Sequence, residues 1–287
     1  MNRTLICAAL FFVAFSAQAQ IQVDLKFKRL QYIAYEPVIA TVTITNLAGR
    51  DIELRDEGDQ HWYGFEVTGN EGRTLAPLVQ VAEAPLQIAA GTTVTRKINL
   101  TTRFPVGDLG VYHVRANVYF ADLNKYFYAR AKVFEVTTAR PIWQQTVGAP
   151  GAGGDGQRTY SLMTNRFPDH TSLYVRVEDK SHGLVYATYS LGRVIAFDEP
   201  HAEIDRANQL HVLQCAAPRI WAYSVVGLDG KLIKHSSYAQ TRSSPRLLRM
   251  ADGTITVSGG VPDVPVAPTG RAIPKLSDRP ADLPPED

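Results

Sequence analysis

The sequence carries only two cysteines in 287 residues, Cys7 and Cys215. That is too few for the disulfide framework that staples small exported domains. It shows no excess of one charge: 30 Lys and Arg against 28 Asp and Glu leave a formal +2. No global field therefore marks it as a nucleic-acid binder. It lacks an apolar run of about 20 residues, the length a transmembrane helix requires. It also lacks Gly-x-Ser-x-Gly, Ser-x-x-Lys and His-Glu-x-x-His, the motifs that advertise hydrolytic chemistry. An apolar content of 45% excludes a wholly disordered chain, and the length allows one large or two ordinary domains.

What is present begins at the first residues. Arg3, the apolar run Leu5–Phe15 and the small-residue ending Ser16-Ala17-Gln18-Ala19 read as a signal peptide over residues 1–19. An exported protein is therefore expected, periplasmic or extracellular. Its one remaining cysteine, Cys215, has no partner and is expected to be a buried, inert thiol.

From Ile21 to Arg140 the chain alternates with period two. Ile21, Val23, Leu25 and Phe27 share one face; Val38, Ala40, Val42 and Ile44 share another; Ile98 and Leu100 close a third run. Such runs, separated by turn residues, predict half-buried strands in two sheets. Gly110-Val111-Tyr112 places Tyr112 at the start of a late strand, where its hydroxyl can bond back to the backbone as a tyrosine corner. A one-residue phase slip after Phe127, Ala129, Ala131 and Val133 predicts a β-bulge near Val133-Phe134. The stretch from Tyr35-Glu36-Pro37 through Thr43-Ile44-Thr45-Asn46 to the Gly-x-Tyr strand resembles the immunoglobulin-like modules of exported bacterial proteins. The resemblance covers residues 20–140 and implies a β-sandwich that serves as a spacer, a binding surface or an inhibitor. It carries over no catalytic residue.

Residues 141–157 read as a Gly-rich linker. Within them Gly151-Ala152-Gly153-Gly154-Asp155-Gly156 spells a dinucleotide fingerprint. It lacks the strand before and the helix after that would make one, so no cofactor is predicted. Residues 158–260 repeat: Leu173-Tyr174-Val175 through Leu184-Val185-Tyr186 to Leu191-Gly192 matches Leu210-His211-Val212 through Trp221-Ala222-Tyr223 to Leu228-Asp229-Gly230. Leu248–Val257 echoes Ile204–Val212 as a partial third copy. Units of strand, strand, Gly turn and strand at a period near 40 predict blade-like β-repeats. These form either an open domain or a ring completed by association of chains as a homo-oligomer. Residues 261–287 are Pro-rich and read as a disordered tail. The whole is predicted to be all-β.

Candidate sites follow from side-chain parity. If Tyr112, Val114, Ala116, Val118 and Phe120 face inward, then His113, Arg115, Asn117 and Tyr119 face outward, as do Tyr126, Tyr128 and Arg130 on the next strand. Tyr119, Tyr126 and Tyr128 beside Arg115 and Arg130 make an aromatic platform for a carbohydrate or a partner protein. His201, Glu203 and Asp205 alternate and form a weak candidate metal set, although neighbours on one strand rarely converge on an ion. Asp51, Glu53, Asp56, Glu57 and Asp59 form an acidic loop rather than a calcium loop. The sequence thus points to a non-catalytic binding or scaffold protein. The alternatives are a carbohydrate-active or other hydrolytic enzyme with its site near His201–His211, and a protease inhibitor.

Overall fold

The computed structural model describes residues 20–149, 156–195 and 197–263. The proposed signal peptide, most of the glycine fingerprint and the tail from 264 onward lie outside the described residues. Within them the chain is all-β, with no α-helix, and no helix is long and apolar enough to cross a membrane.

The first half contains β1 (Ile21–Phe27), β2 (Gln31–Ile33), β3 (Ile39–Asn46), β4 (Ile52–Leu54), β5 (Tyr63–Thr68), β6 (Leu86–Ile88), β7 (Thr93–Asn99), β8 (Gly110–Phe120), β9 (Lys125–Tyr128) and β10 (Lys132–Thr137). One sheet has the order β1-β3-β7; the other has β2-β10-β8-β5, with β9 also paired to β8. A short ladder joins β4 to β6. All these pairings are antiparallel except β2 with β10. Both sheets feed one core. Ile21, Val23 and Leu25 of β1, Ala40, Val42 and Ile44 of β3, and Val114, Ala116 and Val118 of β8 are all buried there. Period-two alternation therefore marks real inward faces. The Tyr112 hydroxyl donates to the Asp108 carbonyl at 2.8 Å, closing the turn that leads into β8.

The predicted extra residue exists, but earlier than Val133-Phe134. Asn117 pairs with Tyr128 and Val114 with Lys132, so the register against β8 slips by one between β9 and β10. Ala131 and Val133 consequently point outward, and Phe134 and Val136 are buried.

The predicted linker needs a larger correction. Arg140–Gly148 is a strand, β11, and Gln157 already belongs to β12 (Gln157–Arg166). β11 is the edge of its sheet and mostly exposed, so it carries no alternation to read, and Pro141 is tolerated at an edge. β13 (Thr171–Asp179) and β14 (Leu184–Val194) complete that meander. A second one follows: β15 (His201–Ile204), β16 (Leu210–Ala217), β17 (Ile220–Val226) and β18 (Leu232–Ala239). The hairpin β19 (Arg246–Arg249)–β20 (Ile255–Ser258) comes next, and β21 (Val261–Asp263) pairs back onto β18. Residues 261–263 are thus a strand rather than tail.

The second half is layered. Leu162, Leu173, Val175 and Val177 of the first meander pack with Leu210, Val212 and Val226 of the second. The opposite face of the second meander packs Leu213, Cys215, Trp221 and Tyr223 against Leu247 and Val257 of the hairpin. Strands covered on both faces tend to lose the period-two alternation and read as apolar runs, as Leu173–Val175 of β13 and most of β16 and β17 do.

The repeat holds only in part. The first copy's Leu191-Gly192 lies within the continuous strand β14. Leu173 there pairs with Gly192 and Tyr174 with Ser190, so Leu191 is a bulge residue, and Gly192 has φ +108°. The matching letters of the second copy form a turn. Glycine at positive φ serves a bulge and a turn equally. What does recur is turn chemistry. Asp205–Gln209, Gly227–Lys231 and Met250–Thr254 each close with the same two backbone bonds, and the fourth residue (Asn208, Gly230 or Gly253) has positive φ. This is the three-residue hairpin loop.

The two halves meet at a small mixed seam. Ile33 packs with Met163 and Tyr174. Arg29 donates to the Tyr174 hydroxyl at 2.7 Å and Arg176 to the Ala34 carbonyl at 2.7 Å.

Candidate functional site

The feature that gathers the most chemistry is a cleft of about 340 Å³ on the outer face of the β5–β8–β9 sheet. Its lining includes Tyr126 and Tyr128 of β9, Asn117 of β8, Gly64, Phe65 and Glu66 of β5, and the Pro77 and Val79–Val81 segment. Register puts Tyr128, Asn117 and Gly64 in one row across three strands. Gly64 is what opens the row: a Cβ there would lie 2.9 Å from Asn117 Oδ1. β5 is the edge strand, and Leu75 N–H bonds the Val67 carbonyl on its free side. The tyrosines and the Pro77–Val81 segment therefore flank the trough from opposite sides.

The tyrosines are positioned by specific partners. The Tyr126 ring lies 5.0 Å from Tyr119 and 6.0 Å from Tyr128, the latter pair tilted by only 31°. The Tyr126 hydroxyl donates to Gln60 Oε1. Burial, then the neighbouring Tyr128 and Tyr119, push the Tyr126 phenol above its ordinary value, so it is a neutral donor at physiological pH. The Arg115 guanidinium sits 4.2 Å from the Tyr128 ring centroid, a cation–π contact. Its Nε lies 3.1 Å from Glu66 Oε2, a pairing by charge that is not aligned as a hydrogen bond.

The platform differs from expectation at two of its five residues. Tyr119 has the outward parity predicted for it but is only 3% exposed. The Glu57–Gln60 turn and Asn124 cover it, and its hydroxyl meets Asn124 Oδ1 at 2.9 Å. It supports Tyr126 and cannot itself present a face to a ligand. Arg130 is exposed and lies outside the cleft lining. Tyr126, Tyr128 and Arg115 remain together. Gly64, Asn117 and Glu66 are additional members, and Gly64 had a sequence signal: a glycine inside an alternating strand marks a close approach. The acidic loop is an ordered support. Asp56 accepts from Trp62 N–H at 2.9 Å and pairs with His61 at 3.0 Å. Burial opposes its charge, but those partners outweigh it and hold the carboxyl below its ordinary value.

The far wall is latched by Glu83. Its carboxylate meets Arg96 and Arg103 at 2.7 Å each, and its carbonyl accepts from Trp62 Nε1. Burial works against the charge, yet the two guanidinium groups prevail and the Glu83 carboxyl titrates below its ordinary 4.5. A depressed folded-state pKa gives stability that is complete above the unfolded value and lost as pH falls through the folded one. Glu83→Gln is therefore expected to cost about 2 kcal/mol at pH 7. That difference should close as acid neutralises the wild-type carboxylate. Urea titrations of both proteins at pH 7 and pH 3 check this; an unchanged gap at pH 3 contradicts it.

The second half also borders an opening, a cavity of about 1030 Å³ whose lining includes Gln31, Arg140, Asn165, Phe167, Asp169 and His170, but none of the residues that sequence singles out in this half lines it. His201, Glu203 and Asp205 do not converge: Asp205 lies in the turn beyond β15, Glu203 pairs with Arg249, and Asp205 pairs with His211. Among the described residues no group of three His, Cys, Asp or Glu side chains is placed to hold a metal. His211 joins Asp205 at 3.0 Å to the Tyr223 hydroxyl at 2.7 Å, a carboxylate–imidazole–phenol chain that sequence parity missed. His211 and Tyr223 are only 6% and 4% exposed, and burial pushes the Tyr223 phenol up to about 12. The chain ties β15's turn to β16 and β17. Cys215 is buried, and burial followed by Asp198 raises its thiol pKa, the opposite of an activated nucleophile.

Comparison with known proteins adds little. No family model matches, and no curated protein does. A solved structure of the sporulation control protein Spo0M from Bacillus subtilis aligns with 60% of this chain and 91% of its own, at 11% identity and a TM-score of 0.29. That likeness is too slight to carry an argument.

Proposed function

We propose that the chain is an exported, non-catalytic binding protein whose ligand site is the Tyr126–Tyr128 cleft. The observation that carries this reading is convergence. Two tyrosines selected by strand parity line the same trough as a strand glycine, an amide and a carboxylate, while the second half's polar chain is enclosed. Largely preformed clefts with a few convergent polar groups are the usual form of a small-ligand site.

The first half we read as an immunoglobulin-like sandwich. In its support, one sheet orders β1-β3-β7 and the other β2-β10-β8-β5. A buried Trp62 precedes β5, and the Tyr112 hydroxyl bonds back to Asp108. Those are the strand groupings, core tryptophan and tyrosine corner of such modules. The second half we read as an open stack of blade-like sheets, supported by two consecutive four-strand meanders and a following hairpin. Export rests on Arg3, the Leu5–Phe15 run and Ala17-Gln18-Ala19.

The test is capture of ligands from a glycan array and a random peptide library, comparing wild type with a Tyr126→Ala, Tyr128→Ala double variant. The reading expects a wild-type signal that the double variant loses. Equal capture by both proteins removes the cleft as the site.

A further inference from the structure

Resting on that reading of the cleft, we infer that its ligand is a neutral saccharide, bound with one pyranose ring against Tyr128 over the Gly64–Asn117 floor. The lining chemistry points there. Tyrosine rings carry a negative face, which suits the weakly positive C–H face of a pyranose. Tyr126 and Tyr128 are tilted by only 31° with centroids 6.0 Å apart, and Tyr128 keeps part of its ring open to the cleft. The face of Tyr128 occupied by Arg115 is set by the 4.2 Å contact, which stiffens the ring at 44% exposure.

Around this platform the polar groups are those that read hydroxyls. Asn117 supplies an amide donor and acceptor, Glu66 a carboxylate acceptor, and Asp59 and His61 a further acceptor and an imidazole at the same cleft. Charge is internally matched: Glu66 faces Arg115, His61 faces Asp56, and Arg103 is held by Glu83. Of the charged groups lining the cleft only Asp59 lacks an ion pair among the described residues, so no free cation is left there to demand an anionic ligand. A cleft of about 340 Å³ lies at the small end for bound organic ligands, consistent with one or two rings.

The competing occupant is an extended peptide added to the edge of β5. Trp62 pairs with Tyr119 through a backbone bond, so by antiparallel alternation the N–H and C=O of Tyr63 and Phe65 point away from β8. That free edge ends at Val67, whose carbonyl is already taken by Leu75. Strand addition draws its affinity from main-chain bonds along an extended edge, and this stretch is too short to favour it.

Isothermal titration of the mature protein with cello-, malto-, manno-, galacto- and chito-tetraose tests the inference. Binding by at least one of them is expected, weakened about tenfold or more by Tyr128→Ala. Gly64→Val, whose side chain fills the trough, should abolish it. Tyr128 is exposed, so its truncation is expected to leave the thermal midpoint in place, which protects the test if Gly64→Val fails to fold. Arg130→Ala, outside the cleft, should leave binding unchanged. Failure of every tetrasaccharide overturns the saccharide assignment. If displayed peptides are then captured in a Tyr128-dependent manner, the cleft reading stands with a peptide ligand; if nothing binds there, both fall.

Discussion

Trp62→Ala should be the most damaging single substitution near the cleft, costing about 4 kcal/mol of stability. The indole is fully buried, lies 5.0 Å from the Arg96 guanidinium and donates through Nε1 to the Glu83 carbonyl at 3.1 Å. Its backbone N–H bonds Asp56 and its carbonyl accepts from Tyr119. One residue thus joins the acidic loop, β8 and the latched wall. Truncation removes the largest buried side chain there and leaves a cavity that strands on both sides hold open. Trp62→Phe separates the contributions. It retains most of the apolar volume but leaves the Glu83 carbonyl without its donor, for about 1 to 2 kcal/mol. Urea unfolding followed by far-UV circular dichroism gives both values. A Trp62→Ala cost below that of Trp62→Phe would refute the packing account.

The second large effect is expected far from the cleft, at Glu36. Glu36 is buried, and its carboxylate pairs with Arg29 and accepts the Ile33 N–H at 3.1 Å. The turn it closes holds Tyr35 at φ +66°, a strained position for a residue with a side chain. Arg29 in turn donates to Tyr174 across the seam. Glu36→Ala leaves the half-buried guanidinium and a backbone N–H without their acceptor, so about 3 kcal/mol should be lost. Proteolysis should also quicken between Thr137 and Arg140, where the two halves join. Glu36→Gln keeps an acceptor for Ile33 and should lose distinctly less. Equal losses for Ala and Gln would show that the Ile33 bond contributes nothing.

Most of the first half was legible because its strands bury one face only. Parity along β8 placed Tyr112, Val114, Ala116, Val118 and Phe120 inside and found the face that carries Tyr126 and Tyr128. Parity cannot report what covers an outer face, so it predicts an exposed Tyr119 although the Glu57–Gln60 turn lies on it. Where strands are buried on both faces or on neither, the period vanishes. That is why β11, an exposed edge, passed for linker, and why β13 and β16 resembled each other more through apolar content than through shared architecture. Glu83 gave no local signal, since its two arginines come from β7 and the turn after it. A latch closed between distant segments is invisible to spacing.

The central claim is that the β5–β8–β9 face binds the ligand. Chemical-shift mapping on the ¹⁵N-labelled protein tests it most directly, with each tetrasaccharide and captured peptide added in turn. The account predicts perturbations concentrated on the amides of Gly64, Phe65, Asn117, Tyr126 and Tyr128. Perturbations confined instead to strands β11–β21 would contradict it.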